Sequence, residues 1–239
     1  MTEKKKAELV VFCIPTMTKP MQVTMDSLFA CLDGLENAGY GHKMVSEIGC
    51  PYISQARATM LRKALDAKAD HIVFIDHDVS FSPDDMLRLV KADGDVVAGT
   101  YRFKRDKEEY MGRPMYGPNG KPICRESDNA IMMHSVPAGF LRITKHAVNV
   151  FMHEYPELTY GDRYSPHIDL FNHGAHDWTW YGEDYAFSRR WREKCGDIWC
   201  IPDLTIGHHT AEKAYPGNYH EFLLKQPGGT KHGDSAGSN

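Results

Sequence analysis

The apolar, mostly β-branched run Ile72-Val73-Phe74-Ile75, which ends abruptly at Asp76-His77-Asp78, constrains the fold more than any other stretch of the sequence. Without polar alternation it reads as a strand buried on both faces, the kind found in sheets covered by helices. Successive strand side chains alternate faces, so Asp76 and Asp78 are expected to point the same way from the strand's C-terminal end. Two carboxylates there are costly to bury unless a cation or a positive ligand neutralises them. That points to a divalent metal and a phosphate-bearing substrate. The plainer expectation is a capping pair, because Ser82-Pro83-Asp84-Asp85 opens a helix shortly downstream.

The flanking segments extend the pattern. Leu9 to Ile14 reads as a buried first strand ended by Pro15-Thr16. After Pro20 a helical period carries Val23, Leu28, Leu32 and Leu35, and Gly39 or Gly41 stops it. His42 to Ile48 is a second strand. Ser54 caps a helix through Ala67 with Ala58, Leu61, Ala64 and Leu65 as its inner stripe. Pro83 suits a first helical position, in a helix reaching about Val90, and Asp95 to Gly99 is a further strand. Strands and helices alternating at this spacing predict an α/β fold with a mostly parallel central sheet flanked by helices. In such sheets ligands bind beyond the carboxyl ends of the strands, where Pro15, Thr16 and the aspartate pair lie.

From Tyr101 to about Asn129 the chain is polar and rich in glycine and proline, as in a lid or binding loop. Its opening, Arg102 to Lys107, is basic, and a solvated turn and phosphate contact fit it equally. Ile131 to Val136 is another apolar run, followed by Pro137 to Ile143 and a helix capped by Thr144. Residues 155–180 are irregular and dense in aromatics, histidine and aspartate. A helix begins near Gly182-Glu183-Asp184, Ile198 to Pro202 forms a last strand, and Gly207-His208-His209 follows. Residues 1–226 read as one domain, and the Gly/Ser-rich tail 227–239 as disordered.

A net charge of −4 argues against a generic nucleic-acid binder. The six cysteines contain no C-x-x-C pair, so reduced thiols in a cytoplasmic protein are expected. No apolar run approaches the roughly 20 residues that span a bilayer. The charged start Met1 to Lys6 lacks the apolar core of a signal peptide.

In this order the pieces resemble a GT-A-fold glycosyltransferase (GT-A being Rossmann-like) of the family-two-like branch that uses nucleotide sugars, over roughly residues 9 to 210. Ile14-Pro15-Thr16 is similar to the opening strand beneath the nucleotide base. Ser54-Gln55-Ala56-Arg57 leading through a helix into Asp76-His77-Asp78 resembles the family's "ARN…DaD" stretch, with Ala58 where asparagine is usual. Val136-Pro137-Ala138-Gly139-Phe140 resembles its acceptor-side turn. Trp180-Tyr181-Gly182-Glu183-Asp184 is similar to the "W-G-G-E-D" helix start of galactosyltransferase-type enzymes, with His208 and His209 downstream. A lone D-x-D is weak; the ordered set is what carries the resemblance.

The resemblance implies a nucleotide-sugar donor, expected to be a UDP-sugar, and Mn²⁺ or Mg²⁺ bridging its phosphates. It places Asp78 on the metal, Asp76 on the donor ribose or a metal-bound water, and a late histidine in the shell. His208 is preferred over His209, since neighbours on a strand face opposite ways. Arg57 suits diphosphate or uracil, and Pro15, Thr16, His77 and Gly139 complete the donor side. Asp184 is the implied general base of an inverting displacement, with Glu183 on acceptor or donor hydroxyls. The first helical turn is expected to keep both carboxylates ionised. Trp180 and Tyr181, together with Trp178 and Tyr164, would offer platforms to the acceptor. The acceptor stays open between a glycan, a lipid-linked sugar, a protein and a hydroxylated nucleobase in DNA.

Other classes fit less well. A haloacid-dehalogenase-type phosphatase would use Asp76 as nucleophile and Asp78 as general acid, yet that motif normally follows the first strand. A zinc hydrolase on His173, His176 and His208 lacks a helical His pair. A non-catalytic nucleotide-sugar-binding module would have no need of both carboxylate pairs.

Overall fold

The computed structural model describes residues 7–226. Met1 to Lys6 and the tail 227–239, expected to be disordered, lie outside the described residues.

Each apolar run becomes a strand and each periodic segment a helix. β1 (Glu8–Thr16), α1 (Gln22–Asn37), β2 (Tyr40–Ile48), α2 (Ile53–Asp66) and β3 (His71–Ile75) open the chain. β4 (Val79–Ser80), α3 (Pro83–Lys91), β5 (Val96–Ala98), β6 (Arg113–Pro114), β7 (Ile131–Ser135), β8 (Phe140–Thr144) and α4 (Lys145–Glu154) follow. Two hairpins come next, β9 (Thr159–Asp162) with β10 (Ser165–Ile168), and β11 (Gly174–His176) with β12 (Thr179–Tyr181). The chain continues through α5 (Glu183–Lys194), β13 (Trp199–Cys200), β14 (Thr205–His209), β15 (Ala214–Asn218) and α6 (Tyr219–Lys225).

The main sheet has the order β2-β1-β3-β8-β5-β13-β7-β6. β2, β1, β3, β5, β13 and β6 run one way, and β8 and β7 the other, so the sheet is mostly parallel. Alternation along the central strands divides the core between two faces. Val11, Cys13, Ile72 and Phe74 pack with Leu61 and Ala64 of α2 and Phe187 and Trp191 of α5. Val10, Phe12, Ile14, Val73 and Ile75 pack with Leu28 and Leu35 of α1 and Met86 and Leu89 of α3. A second small sheet, β15-β14-β4, folds over the end of β3. Among the described residues no helix is long and apolar enough to cross a membrane.

Four expectations need correction. Ser54 does not cap α2: the N-cap is Tyr52, without a side-chain cap bond, and Ser54 is buried inside the helix. Asp76 and Asp78 do not cap α3, whose capping box is Ser82 with Asp85. Phe140 to Thr144, expected as the approach to a helix, is a central strand between β3 and β5. The segment 155–180, expected to be irregular, contains the two hairpins.

Candidate functional site

β3 stops at Ile75, one residue before the first aspartate, and this decides the site's layout. Asp76 accepts from Val79 N–H through its carbonyl at 3.3 Å, a turn that takes Asp78 out of the strand's alternation. The two carboxylates therefore meet different side chains, Arg57 and Tyr101 for Asp76 and Lys104 and His208 for Asp78, where strand alternation had them pointing the same way.

Asp76 is held from both sides. Arg57 donates from a terminal guanidinium nitrogen to Oδ1 at 2.9 Å, and Tyr101 Oη donates to Oδ2 at 3.0 Å. Arg57 itself is only 2 % exposed. It also donates to the Ala138 carbonyl at 3.2 Å, lies 3.7 Å from Glu183, and rests over the rings of Phe74 and Phe171. Burial alone would lower its pKa, but Asp76 and Glu183 reverse that and raise it. Arg57, on the side of α2 that faces the sheet, is thus engaged by Asp76, Glu183 and the Ala138 carbonyl. Asp76 accepts one hydrogen bond on each of its oxygens. Gly139 makes the arrangement possible: a Cβ there would collide with the Tyr101 hydroxyl and the Asp76 carboxylate.

Asp78, 7 % exposed, belongs to a second group. Lys104, from the basic start of the long loop, pairs with Oδ2, and His208 Nε2 stands 3.6 Å from Oδ1. Burial would raise the Asp78 pKa, yet contacts with His208 and Lys104 outweigh it and bring it down to about 2. His208 Nδ1 donates to the Arg102 carbonyl at 2.8 Å, which fixes the ring so that Nε2 is the nitrogen facing Asp78. Its neighbour His209 faces the other way, onto Ser80 Oγ at 2.7 Å. His77 approaches Asp78 at 3.9 Å with its ring, while its carbonyl accepts from Met21 N–H at 2.8 Å.

An imidazole oriented by a backbone carbonyl beside a carboxylate offers two ligands of the kind divalent cations take. Among the described residues no three His, Cys, Asp or Glu side chains gather for a metal. Asp78 and His208 could supply at most one carboxylate and one imidazole to a cation, leaving the rest of its shell to water or a ligand. The trio His173, His176 and His208 is not brought together. A cavity of about 570 Å³ opens beside Asp78, with Lys19, Met21, His77, Lys104 and His209 in its wall. Pro15 and Thr16 are buried, and the residues just after them line this space in their place.

Glu183 and Asp184 open α5 without a side-chain cap on Gly182. Burial, then the like charge of Glu183, pushes the Asp184 carboxyl up to about 7, although its Oδ1 accepts from Tyr185 N–H at 2.8 Å. The helix dipole was expected to keep it ionised; desolvation and crowding by Glu183 and Asp76 prevail. Trp180 and Tyr181 sit on β12 immediately before this pair, Trp180 exposed and Tyr181 half-buried. Trp178 and Tyr164 stand exposed at the two hairpin tips and cover no core.

Tyr101 joins the two halves, its hydroxyl on Asp76 and its ring edge-on to His208 at 4.9 Å. Sequence reasoning did not find it, since nothing local distinguishes it from other loop tyrosines. Lys104 carried a signal only as part of the basic segment. The neighbouring cations there are mostly paired internally, Arg105 and Lys107 both to Glu109.

Fold and site together define an α/β protein with two carboxylate centres at one end of a mostly parallel sheet. No protein-family model matches the sequence, and no curated protein matches it either. Among solved structures, the chain is similar to GalNAc-T7, crystallised with UDP, GalNAc and Mn²⁺, at 11 % identity and a TM-score of 0.49. That alignment covers 86 % of this chain and 44 % of the other. It is also similar to a glycosyltransferase involved in glycosylation of the major capsid of PBCV-1, at 10 % identity and a TM-score of 0.34. There the coverage is 59 % of this chain and 62 % of that one. The chain thus spans less than two thirds of either neighbour. At these scores the chemistry of the site rests on its own geometry.

Proposed function

We propose that this protein is a metal-dependent glycosyltransferase that moves a sugar from a nucleoside-diphosphate donor, a UDP-sugar, to an acceptor hydroxyl with inversion. The observation that carries this reading is the Asp78–His208 pair, with the imidazole held by the Arg102 carbonyl so that Nε2 faces the carboxylate. Asp78 and His208 would hold Mn²⁺ or Mg²⁺, which when bound supplies positive charge against the diphosphate leaving group. Arg57 and Tyr101 fix Asp76, and Arg57 also holds Glu183, so the acid cluster keeps its geometry before substrate arrives. Asp184, titrating near about 7, can take the acceptor hydroxyl proton as the oxygen attacks the anomeric carbon. The new carbon–oxygen bond forms as the bond to the nucleoside diphosphate breaks. Trp180 and Tyr181 stand beside that base and would meet the acceptor. The phosphatase alternative would use Asp76 as nucleophile, and the sequence gives it less support because that motif normally follows the first strand. The scattered spacing of the six cysteines, without a C-x-x-C pair, fits a reducing, cytoplasmic setting.

The test offers the purified protein Mn²⁺ and a panel of UDP- and GDP-sugars, with donor hydrolysis and thermal shift recorded. Stabilisation by at least one pair of metal and donor is expected, and Asp78→Ala should abolish it. Silence toward every donor, together with turnover of a generic phosphomonoester, would sink the transferase reading.

Lys104 adds a second expectation. Its ammonium group neutralises Asp78 and must withdraw before a cation binds there. Breaking one charge-assisted contact costs about 1.4 kcal/mol, so Lys104→Met should tighten Mn²⁺ binding about tenfold. Titration calorimetry reads this directly. An unchanged or weaker affinity would show that Lys104 does not compete with the metal.

A further inference from the structure

Beyond the acid pair, α5 carries Tyr185, Arg189 and Arg192 at i, i+4 and i+7, one face of the helix. α5 packs on β7, where His134 is the exposed residue between the buried Met133 and Ser135. Gly112 N–H donates to Tyr185 Oη at 3.0 Å, which holds the following residue, Arg113, beside the same face. Two cavities share His134 as a common wall. One of about 280 Å³ is lined by His176, Asp177, Tyr181, Arg189, Arg192 and Glu193, and one of about 350 Å³ by Arg113 and Tyr116.

The charge balance of this recess is uneven. Glu193 is engaged by Arg189 at 2.7 and 2.8 Å, and Asp177 lies 3.4 Å from His176. Among the described residues neither Arg113 nor Arg192 has a carboxylate within ion-pair reach, although both approach His134. Burial, then the nearby Arg192 and Arg113, pushes the His134 ring below its usual pKa. A chain of net charge −4 thus concentrates unneutralised guanidinium groups in one recess.

We infer that this recess is the anion subsite of the acceptor, taking a phosphate group carried by the acceptor molecule. The inference rests on the transferase reading, since it places the recess next to Asp184. Along α5, Arg189 and Arg192 lie about 7.5 and 12 Å beyond Asp184 at 1.5 Å per residue. An acceptor hydroxyl at the base would therefore carry its phosphate roughly one or two sugar rings away. Two guanidinium forks without carboxylates of their own match the oxygens of a phosphate monoester or diphosphate. The cations lie in two adjoining cavities that share His134, and they are too few for a track along a nucleic-acid backbone. Tyr116 and Tyr181 supply flat apolar walls for the moiety that bears it.

The test follows the His134 ring resonance by NMR in the full chain as inorganic phosphate is added. In the wild type the signal should move saturably and its pKa should rise about one unit, a tenfold preference for the charged ring. Asp78→Ala should respond like the wild type, because the donor centre is separate. Arg113→Gln/Arg192→Gln should weaken the response at least tenfold. Glucose 6-phosphate and vesicles containing phosphatidic acid then separate a soluble acceptor from a lipid-linked one, and a response to either supports the subsite. No saturable shift of His134, or one unaffected by the arginine changes, overturns the inference. So does a much tighter response to a single-stranded oligonucleotide that weakens steeply with salt. Donor binding that survives Asp78→Ala would count against the donor reading alone, since the His134 response is measured without donor.

Discussion

Asp184→Asn should cut sugar transfer by a factor of about 10²–10⁴ while leaving metal-dependent donor binding intact. The amide keeps the shape of the side chain but cannot accept the hydroxyl proton, and donor binding lies with Asp78 and His208. In the wild type, kcat/KM should rise with pH through about 7 and then level off, as Asp184 loses its proton. The same change should stabilise the fold at high pH. The folded carboxyl titrates near about 7 against an ordinary value of 3.8, so the native state holds a proton that the unfolded chain has already released. Stability contributed by this group is therefore full below the unfolded pKa and is lost as pH rises toward about 7. Asparagine escapes that loss. Thermal melts at pH 8 should place Asp184→Asn about 2 kcal/mol above the wild type, with the gap closing toward pH 4. A variant that is inactive and also less stable at pH 8 would mean that Asp184 is structural and ionised.

What could be read from the sequence was what local patterns determine. β1, α1, β3 and α3 follow from apolar runs, a 3.6-residue period and turn residues, each contained within a dozen positions. β8 was missed because Arg142 interrupts its apolar run, and polar residues are normally read as surface. In the fold Arg142 is 1 % exposed and donates to the Gly94 carbonyl at 2.6 Å and to the carbonyls of Leu89 and Ala92 at the end of α3. It satisfies orphan carbonyls at a helix C-terminus from inside the sheet, which no local pattern reveals.

The candidate site divides along the same line. Asp76, Asp78, Asp184 and His208 stand out by residue type and position, and the fold collects them as two groups joined by Tyr101. Their partners come from far along the chain: Tyr101 is 25 positions from Asp76, Lys104 is 26 from Asp78, and Gly139 approaches Asp76 through a bare backbone. The strand-alternation rule also failed at the decisive place. It holds within a strand, and β3 ends before the first carboxylate.

Arg57→Met should cost about 3–5 kcal/mol of stability at pH 8, read by urea denaturation, because it leaves buried carboxylates without their cation. Arg57 bridges Asp76 and Glu183 from a nearly sealed position, and Asp184 lies close enough to add a third negative charge. Methionine fills the volume against Phe74 and Phe171 without supplying charge or hydrogen bonds. Without the guanidinium, the crowded carboxylates repel one another more as they ionise, so the penalty grows as pH rises. The deficit of Arg57→Met should accordingly shrink from pH 8 to pH 5. Adding Asp76→Asn removes the carboxylate that most needs the guanidinium, and the double variant should recover a large part of the loss, a coupling that marks direct interaction. Arg57→Lys should fall between, since one ammonium group cannot reach both Asp76 and the Ala138 carbonyl with the same geometry. A loss below about 1 kcal/mol for Arg57→Met, the range of an exposed ion pair, would show that water already screens this cluster. In that case Asp76 would be free to turn toward the donor, and the separation of the two carboxylates into distinct tasks would not hold.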